Sequence, residues 1–129
     1  MILNEGWWIS LVKIIIAGSR SFENYPLLEN TLDEFIAGLE PKKSVEIVSG
    51  GARGADRLGE KYARSRGYAL KIFPANWDFY GKRAGYIRNA EMAEYADCLV
   101  AFWDCQSRGT QHMINLAIQK GLKICCINF

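Results

Sequence analysis

The chain alternates short, almost wholly apolar runs with longer stretches in which apolar side chains recur every three or four positions. The apolar runs are "VKIIIA" (12–17), "SVEIVS" (44–49), "ALKIF" (69–73), "DCLVAFW" (97–103) and "LKICCINF" (122–129). Their length and β-branched content predict strands buried on both faces. The first longer stretch, "YPLLENTLDEFIAGLE" (25–40), sets Leu28, Leu32, Phe35, Ile36 and Leu39 at helical spacing, with Pro26 suited to a first turn. The second, "GADRLGEKYARSRG" (54–67), gathers Ala55, Leu58, Tyr62 and Ala63 on one face and closes with Gly67. Helices are also predicted over about 86–96 and over 109–121, and "ANWDFYGKRAG" (75–85) reads as a loop.

Strand–helix alternation with near-continuous apolar strands predicts a three-layer α/β/α domain around a mainly parallel five-stranded sheet. Right-handed crossovers favour the strand order 3-2-1-4-5. Residues 12–129 read as one such domain and residues 1–11 as an extension. Within the extension, Trp7 and Trp8 suit an extra strand, packing across a sheet face, or a self-interface.

Composition narrows the classes. The chain has 129 residues, half of them hydrophobic, which suits a packed core and argues against disorder. No apolar run approaches the roughly 18 residues of a membrane span, and "MILNEGWWISLVK" lacks the basic start and small-residue cleavage site of an export signal. Four cysteines without CxxC spacing and a single histidine, His112, give no zinc pattern. The expectations are thiols in a reducing cytoplasm, no metal, no cofactor and no membrane partner. Net charge is only +2, yet residues 53–88 carry nine basic and three acidic side chains. That segment suits an anionic partner, although a solvated helix face has the same composition.

In such a sheet, ligands bind at the carboxyl ends of the strands, where the order reverses. Four loops leave that edge: "GSRSF" (18–22), "GGARGAD" (50–56), "ANWDFYGKRAG" (75–85) and "DCQSRGT" (104–110). Glycines admit backbone N–H groups close to a phosphate, and helix N-termini follow with their positive dipole ends. The candidate phosphate ligands in and beside these loops are Gly18, Ser19, Arg20, Ser49, Gly50, Gly51, Gly54, Ala55, Asp56, Arg108, Gly109 and Thr110, with Arg88 added from the basic, aromatic segment 76–89. Hydroxyls would donate, and arginines would bind oxyanions through forked hydrogen bonds. Asp56 reads equally as a ribose contact, a base, or an acid favoured by the helix dipole. Trp77 and Tyr80, interleaved with Lys82 and Arg83, are candidates for stacking on a base, or for a packed loop. The glycine loop is not a P-loop, since no Gly-Lys-Ser/Thr follows, and the first strand lacks GxGxxG. A nicotinamide fold of the usual kind and a GxSxG hydrolase are thereby disfavoured.

The segments "IIIAGSRSF", "VSGGARGAD", "PANWDFYGKRAGYIRNAEM", "ADCLVAFWD" and "SRGTQHMINLA" together resemble the YspA-like, cpYpsA-related branch of the SLOG superfamily. That superfamily groups the DprA DNA-processing proteins and the LOG phosphoribohydrolases. The resemblance spans residues 13 to about 127. It implies a Rossmann-like sheet that binds a nucleotide or nucleotide derivative at its carboxyl edge. By position, Gly50, Gly51 and Gly54 match the phosphate-binding glycines, Gly109 and Thr110 the Gly-Thr element, and Arg88 the arginine that precedes the fourth strand. LOG hydrolases carry a catalytic glutamate three residues after the threonine; here that position is Met113.

The expected function is binding of a nucleotide-like phosphorylated small molecule, for sensing or processing. One alternative is N-glycosidic hydrolysis through another carboxylate, such as Asp56, Asp78 or Asp104. A second is DprA-like binding of single-stranded DNA, ranked lower because net charge is small and no basic tail is present. Self-association as a dimer or larger assembly is a further expectation, through Trp7–Trp8 or the cysteine-rich last strand.

Overall fold

The computed structural model describes residues 11–39 and 44–129. Five strands form one all-parallel sheet: β1 (Leu11–Gly18), β2 (Ser44–Ser49), β3 (Ala69–Ile72), β4 (Cys98–Trp103) and β5 (Lys123–Asn128). The spatial order is β3-β2-β1-β4-β5, as the crossover rule predicts. The helices are α1 (Tyr25–Ala37), α2 (Ala55–Arg66), α3 (Trp77–Tyr80), α4 (Ala84–Tyr95) and α5 (Arg108–Lys120). This is a Rossmann-like α/β fold. The extension with Trp7 and Trp8 lies outside the described residues, apart from Leu11.

The central strand shows why an unbroken apolar run is required. Ile14, Ile15 and Ile16 are fully buried, but they face opposite ways. Ile14 and Ile16 join Leu28 and Leu32 of α1, Tyr62 of α2 and Phe102 of β4 in one apolar layer. Ile15 joins Met92 and Ala93 of α4 and Met113 and Ala117 of α5 in the other. Burial of each such side chain contributes about 1.5–3 kcal/mol. Helices α1 and α2 thus cover one face, and α4 and α5 the other. The chain changes faces between β3 and β4, which leaves a crevice between the carboxyl ends of β1 and β4.

Two local readings need correction. The segment 75–85 is not an open loop: it holds α3 and a 3-10 turn over Gly81–Arg83. Asn76 starts α3 by accepting the Phe79 N–H on its side-chain oxygen at 3.1 Å. One helical turn is too short to show a periodic apolar face, so the pattern gave no helical signal. Helix α1 ends at Ala37 and not near residue 40: the Gly38 N–H makes the last bond to a carbonyl four residues back, Glu34, and the Leu39 N–H turns instead to the Ile36 carbonyl three back.

Candidate functional site

A cleft of about 780 Å³ opens at the crevice between β1 and β4. One wall is the turn after β1, with Gly18, Ser19, Arg20 and Ser21. The facing wall is the start of α5, with Ser107, Arg108, Gly109 and Thr110. Helix α4 contributes Arg88 and Asn89, and α3 contributes Trp77. Met92 and Met113, both buried, line it from the apolar layer. Five cationic side chains border the cleft (Arg20, Arg53, Lys82, Arg88 and Arg108) against two carboxylates, Glu23 and Asp56.

The turns are pinned by a small set of hydrogen bonds. Ser19 Oγ accepts from the Asp104 N–H at 3.1 Å and from Ser107 Oγ at 3.0 Å, joining the β1 and β4 turns. The Asp104 carboxylate accepts the N–H groups of Ser107 and Gln106, which, Ser107 foremost, hold its pKa below the usual range. Asp104 therefore serves the turn before α5 and does not line the cleft. Neither does Asp78, in the first turn of α3.

Arg88 is the hub on the other side. Its Nη1 donates to the Gly50 carbonyl, and its Nε donates to Asn89 Oδ1 at 3.1 Å. Asn89 Nδ2 in turn donates to the Gly109 carbonyl at 3.1 Å and lies 3.2 Å from His112 Nδ1. The glycine turn after β2 and the start of α5 are thus tied through two consecutive side chains of α4. Burial lowers the Arg88 pKa, opposed by the Asp56 carboxylate nearby. His112 packs on Tyr86 with ring centroids 4.3 Å apart, so the single histidine is a packed and paired side chain.

The glycine loop is built differently from an open cradle. The Gly51 N–H donates to Ser49 Oγ at 3.0 Å, and the Ala52 N–H donates to Asp56 Oδ2 at 3.3 Å. The Ser49 hydroxyl donates to Glu60 Oε2 at 2.7 Å. The chain's own side chains thus occupy donors that the sequence reading offers to a phosphate. Burial, the largest effect, pushes the Asp56 carboxyl up to about 6, against the Ala52 N–H and Arg88, which lower it. Gly54 has φ +83°, and a Cβ there would stand 2.4 Å from the Ser19 carbonyl oxygen. Its role here is the close approach of α2 to the β1 turn.

Of the residues singled out from sequence, the cleft brings together Gly18, Ser19, Arg20, Asp56, Trp77, Arg88, Arg108, Gly109 and Thr110. Ser49, Gly54 and Ala55 are not on its wall. Ser49 and Ala55 are fully buried, the former by its bond to Glu60 and the latter in the core. Tyr80 is also off the wall, set edge-on against Phe79 with centroids 4.8 Å apart. Gly50 and Gly51 line a second depression of about 650 Å³ beside the first. Sequence reasoning passed over Asn89 and Ser107. Asn89 had a legible signal, a short amide within a predicted helix, where such residues are poor helix formers without a tertiary partner.

Comparison with known proteins agrees with this architecture. A family model described as the YspA, cpYpsA-related SLOG family matches residues 12–80, just over half of the chain. The chain belongs to that family. Gene 61 protein of Mycobacterium phage D29 is 32% identical over 123 residues, covering 91% of this chain and 95% of that protein. Among solved structures, DNA processing protein A (DprA) from Streptococcus pneumoniae superposes with a TM-score of 0.68 over 93% of this chain, at 19% identity. The match spans 51% of the DprA chain, so the SLOG fold shared here is about half of that molecule. Met113 is a buried thioether in an apolar layer with Ile15, Met92 and Ala117.

Proposed function

We propose that this SLOG protein binds a nucleotide or nucleotide-derived phosphorylated small molecule in the cleft between β1 and β4. One observation carries the reading. The first turn of α5 faces the Gly18–Ser21 turn across a cleft bordered by five cationic side chains and two carboxylates. A helix N-terminus supplies backbone donors and a positive dipole end to an anion. Gly109 adds open space there, since nothing lies within 4 Å of where its Cβ would be. In this reading Arg20, Arg88 and Arg108 neutralise phosphate, Gly109 and Thr110 donate to it, and Trp77 stacks on the base. The work would be done in the cytoplasm.

Titration calorimetry with AMP, ADP-ribose, NAD and cyclic nucleotides tests the proposal. Binding by one or more, abolished by Gly109→Asp, is the expected result. Absence of binding across the panel, or binding that survives Gly109→Asp, overturns it.

A second reading, cleavage of the N-glycosidic bond of such a ligand, is favoured by one feature. Asp56 is a buried carboxyl on the cleft wall with its pKa raised toward neutrality, which suits a general acid or base. Incubation with nucleoside monophosphates and chromatography for free base decides it. Base release no faster than the enzyme-free rate removes this reading.

A further inference from the structure

The two depressions at the sheet edge share a rim. Arg20, Ala52, Arg53, Trp77 and Arg88 line both of them. Beyond that rim, the second depression has its own apolar wall, Ile72, Pro74 and Ala75, facing Arg57. Arg57 is steadied by donation from its Nε to the Gly51 carbonyl at 3.0 Å.

We propose that the ligand has two nucleoside halves joined by a pyrophosphate, one half in each depression and the pyrophosphate at the shared rim. The inference rests on the reading that the cleft takes a nucleotide, and it names the class of that nucleotide.

Three observations converge on it. First, each depression, at about 780 and 650 Å³, falls in the range of a single small-molecule pocket. Two adjoining depressions of that size suit two compact halves. Second, the rim concentrates three guanidinium groups, Arg20, Arg53 and Arg88, with one carboxylate on either side, Asp56 in the first depression and Glu60 in the second. Proximity of Arg20 depresses the Arg88 pKa further. The three cations outnumber those two carboxylates, so the rim favours an anionic bridge such as a pyrophosphate diester. Planar guanidinium forks suit such oxygens. Third, both pockets meet at Trp77, whose indole is half exposed and rests against Gly85. An aromatic face at the junction and the Ile72–Pro74 wall beyond it offer apolar contact to a second ring system.

Calorimetry with AMP, diadenosine pyrophosphate and an oligodeoxyadenylate separates the outcomes, using wild type, Ile72→Glu and Arg57→Ala. Ile72 is 42% exposed and Arg57 is exposed, so neither change empties the core. The expected result is diadenosine pyrophosphate binding at least about tenfold tighter than AMP. Both variants should lose that gain while AMP affinity stays unchanged. Equal affinities, a preference that survives both variants, or an AMP affinity that falls with the dinucleotide's in Ile72→Glu overturns the inference. Tighter binding of the oligodeoxyadenylate than of the dinucleotide also overturns it, in favour of a nucleic-acid ligand. In each of these cases AMP binding can still stand. Binding of none of the three overturns the nucleotide reading as well.

Discussion

The guanidinium of Arg88, on α4, donates to the carbonyl oxygen of Gly50, at the end of β2. This contact closes the glycine turn against the far side of the cleft. A Cβ at position 50 would stand 2.6 Å from Arg88 Nη1 and 2.9 Å from Asp56 Oδ2. Gly50→Ala should therefore displace Arg88 and cost about 1.5–3 kcal/mol in urea unfolding, the loss of a charge-assisted hydrogen bond. Nucleotide affinity should fall with it, since Arg88 would leave the rim. Unchanged stability with Arg88 still on the carbonyl in a crystal structure of the variant would count against this.

Gly54 and Gly109 make a contrasting pair. At Gly54 the obstacle is backbone, the Ser19 and Arg20 carbonyl oxygens at 2.4 and 2.6 Å, and φ is positive. Gly54→Ala should cost more than about 3 kcal/mol or prevent folding. At Gly109 there is open space. Gly109→Ala should keep or slightly raise the melting temperature, because alanine is the better helix former. Its methyl would stand in the cleft, so nucleotide affinity should drop without loss of fold. Thermal melts paired with calorimetry read both effects.

Asp56 predicts a pH dependence of defined sign. Its carboxyl is raised from 3.8 to about 6 by burial, so the folded protein holds this proton more tightly than the unfolded chain. The contribution favours the folded state fully below pH about 4. It declines as pH rises toward 6, and by then about 3 kcal/mol has been lost at ~1.4 kcal/mol per pH unit. Relative to wild type, Asp56→Asn should thus be more favourable at pH 7 than at pH 4.5. Urea unfolding at the two pH values measures the difference; a difference of zero would place Asp56 in water.

Far from the cleft, Tyr62 donates its hydroxyl to Asp33 Oδ1 at 2.6 Å, and Arg66 forks onto the same carboxylate. Arg66, the leading cause, holds the Asp33 pKa below its ordinary value, followed by Tyr62. This cluster ties α2 to α1. Tyr62→Phe should lower stability by about 0.5–1.5 kcal/mol, and it should leave nucleotide affinity untouched. A change in affinity would show that packing of α1 on α2 reaches the cleft.

Much of this was legible in the chain itself. Continuous β-branched runs such as "VKIIIA" can be buried only in a sheet covered on both sides, and short helical connections then fix parallel strands by handedness. The strand order and the crevice between β1 and β4 follow from those local signals. The turn residues of that crevice, from Gly18 to Arg20 and from Arg108 to Thr110, were therefore identifiable by position alone. The short helix Trp77–Tyr80 escaped because a single turn has no period to detect.

Tertiary structure decided which polar groups face the cleft and which satisfy one another. Glycine spacing reads the same whether a loop's N–H groups meet a phosphate or the chain's own Ser49 and Asp56. Only the packing of α2 under the loop turns Ser49 toward Glu60 and buries Asp56 beside Arg88. Asn89 was a mid-helix amide until α4 and α5 came together around the Gly109 carbonyl. Periodicity is a local property of the chain, whereas hydrogen-bond partners 20 to 88 residues apart are chosen by close packing.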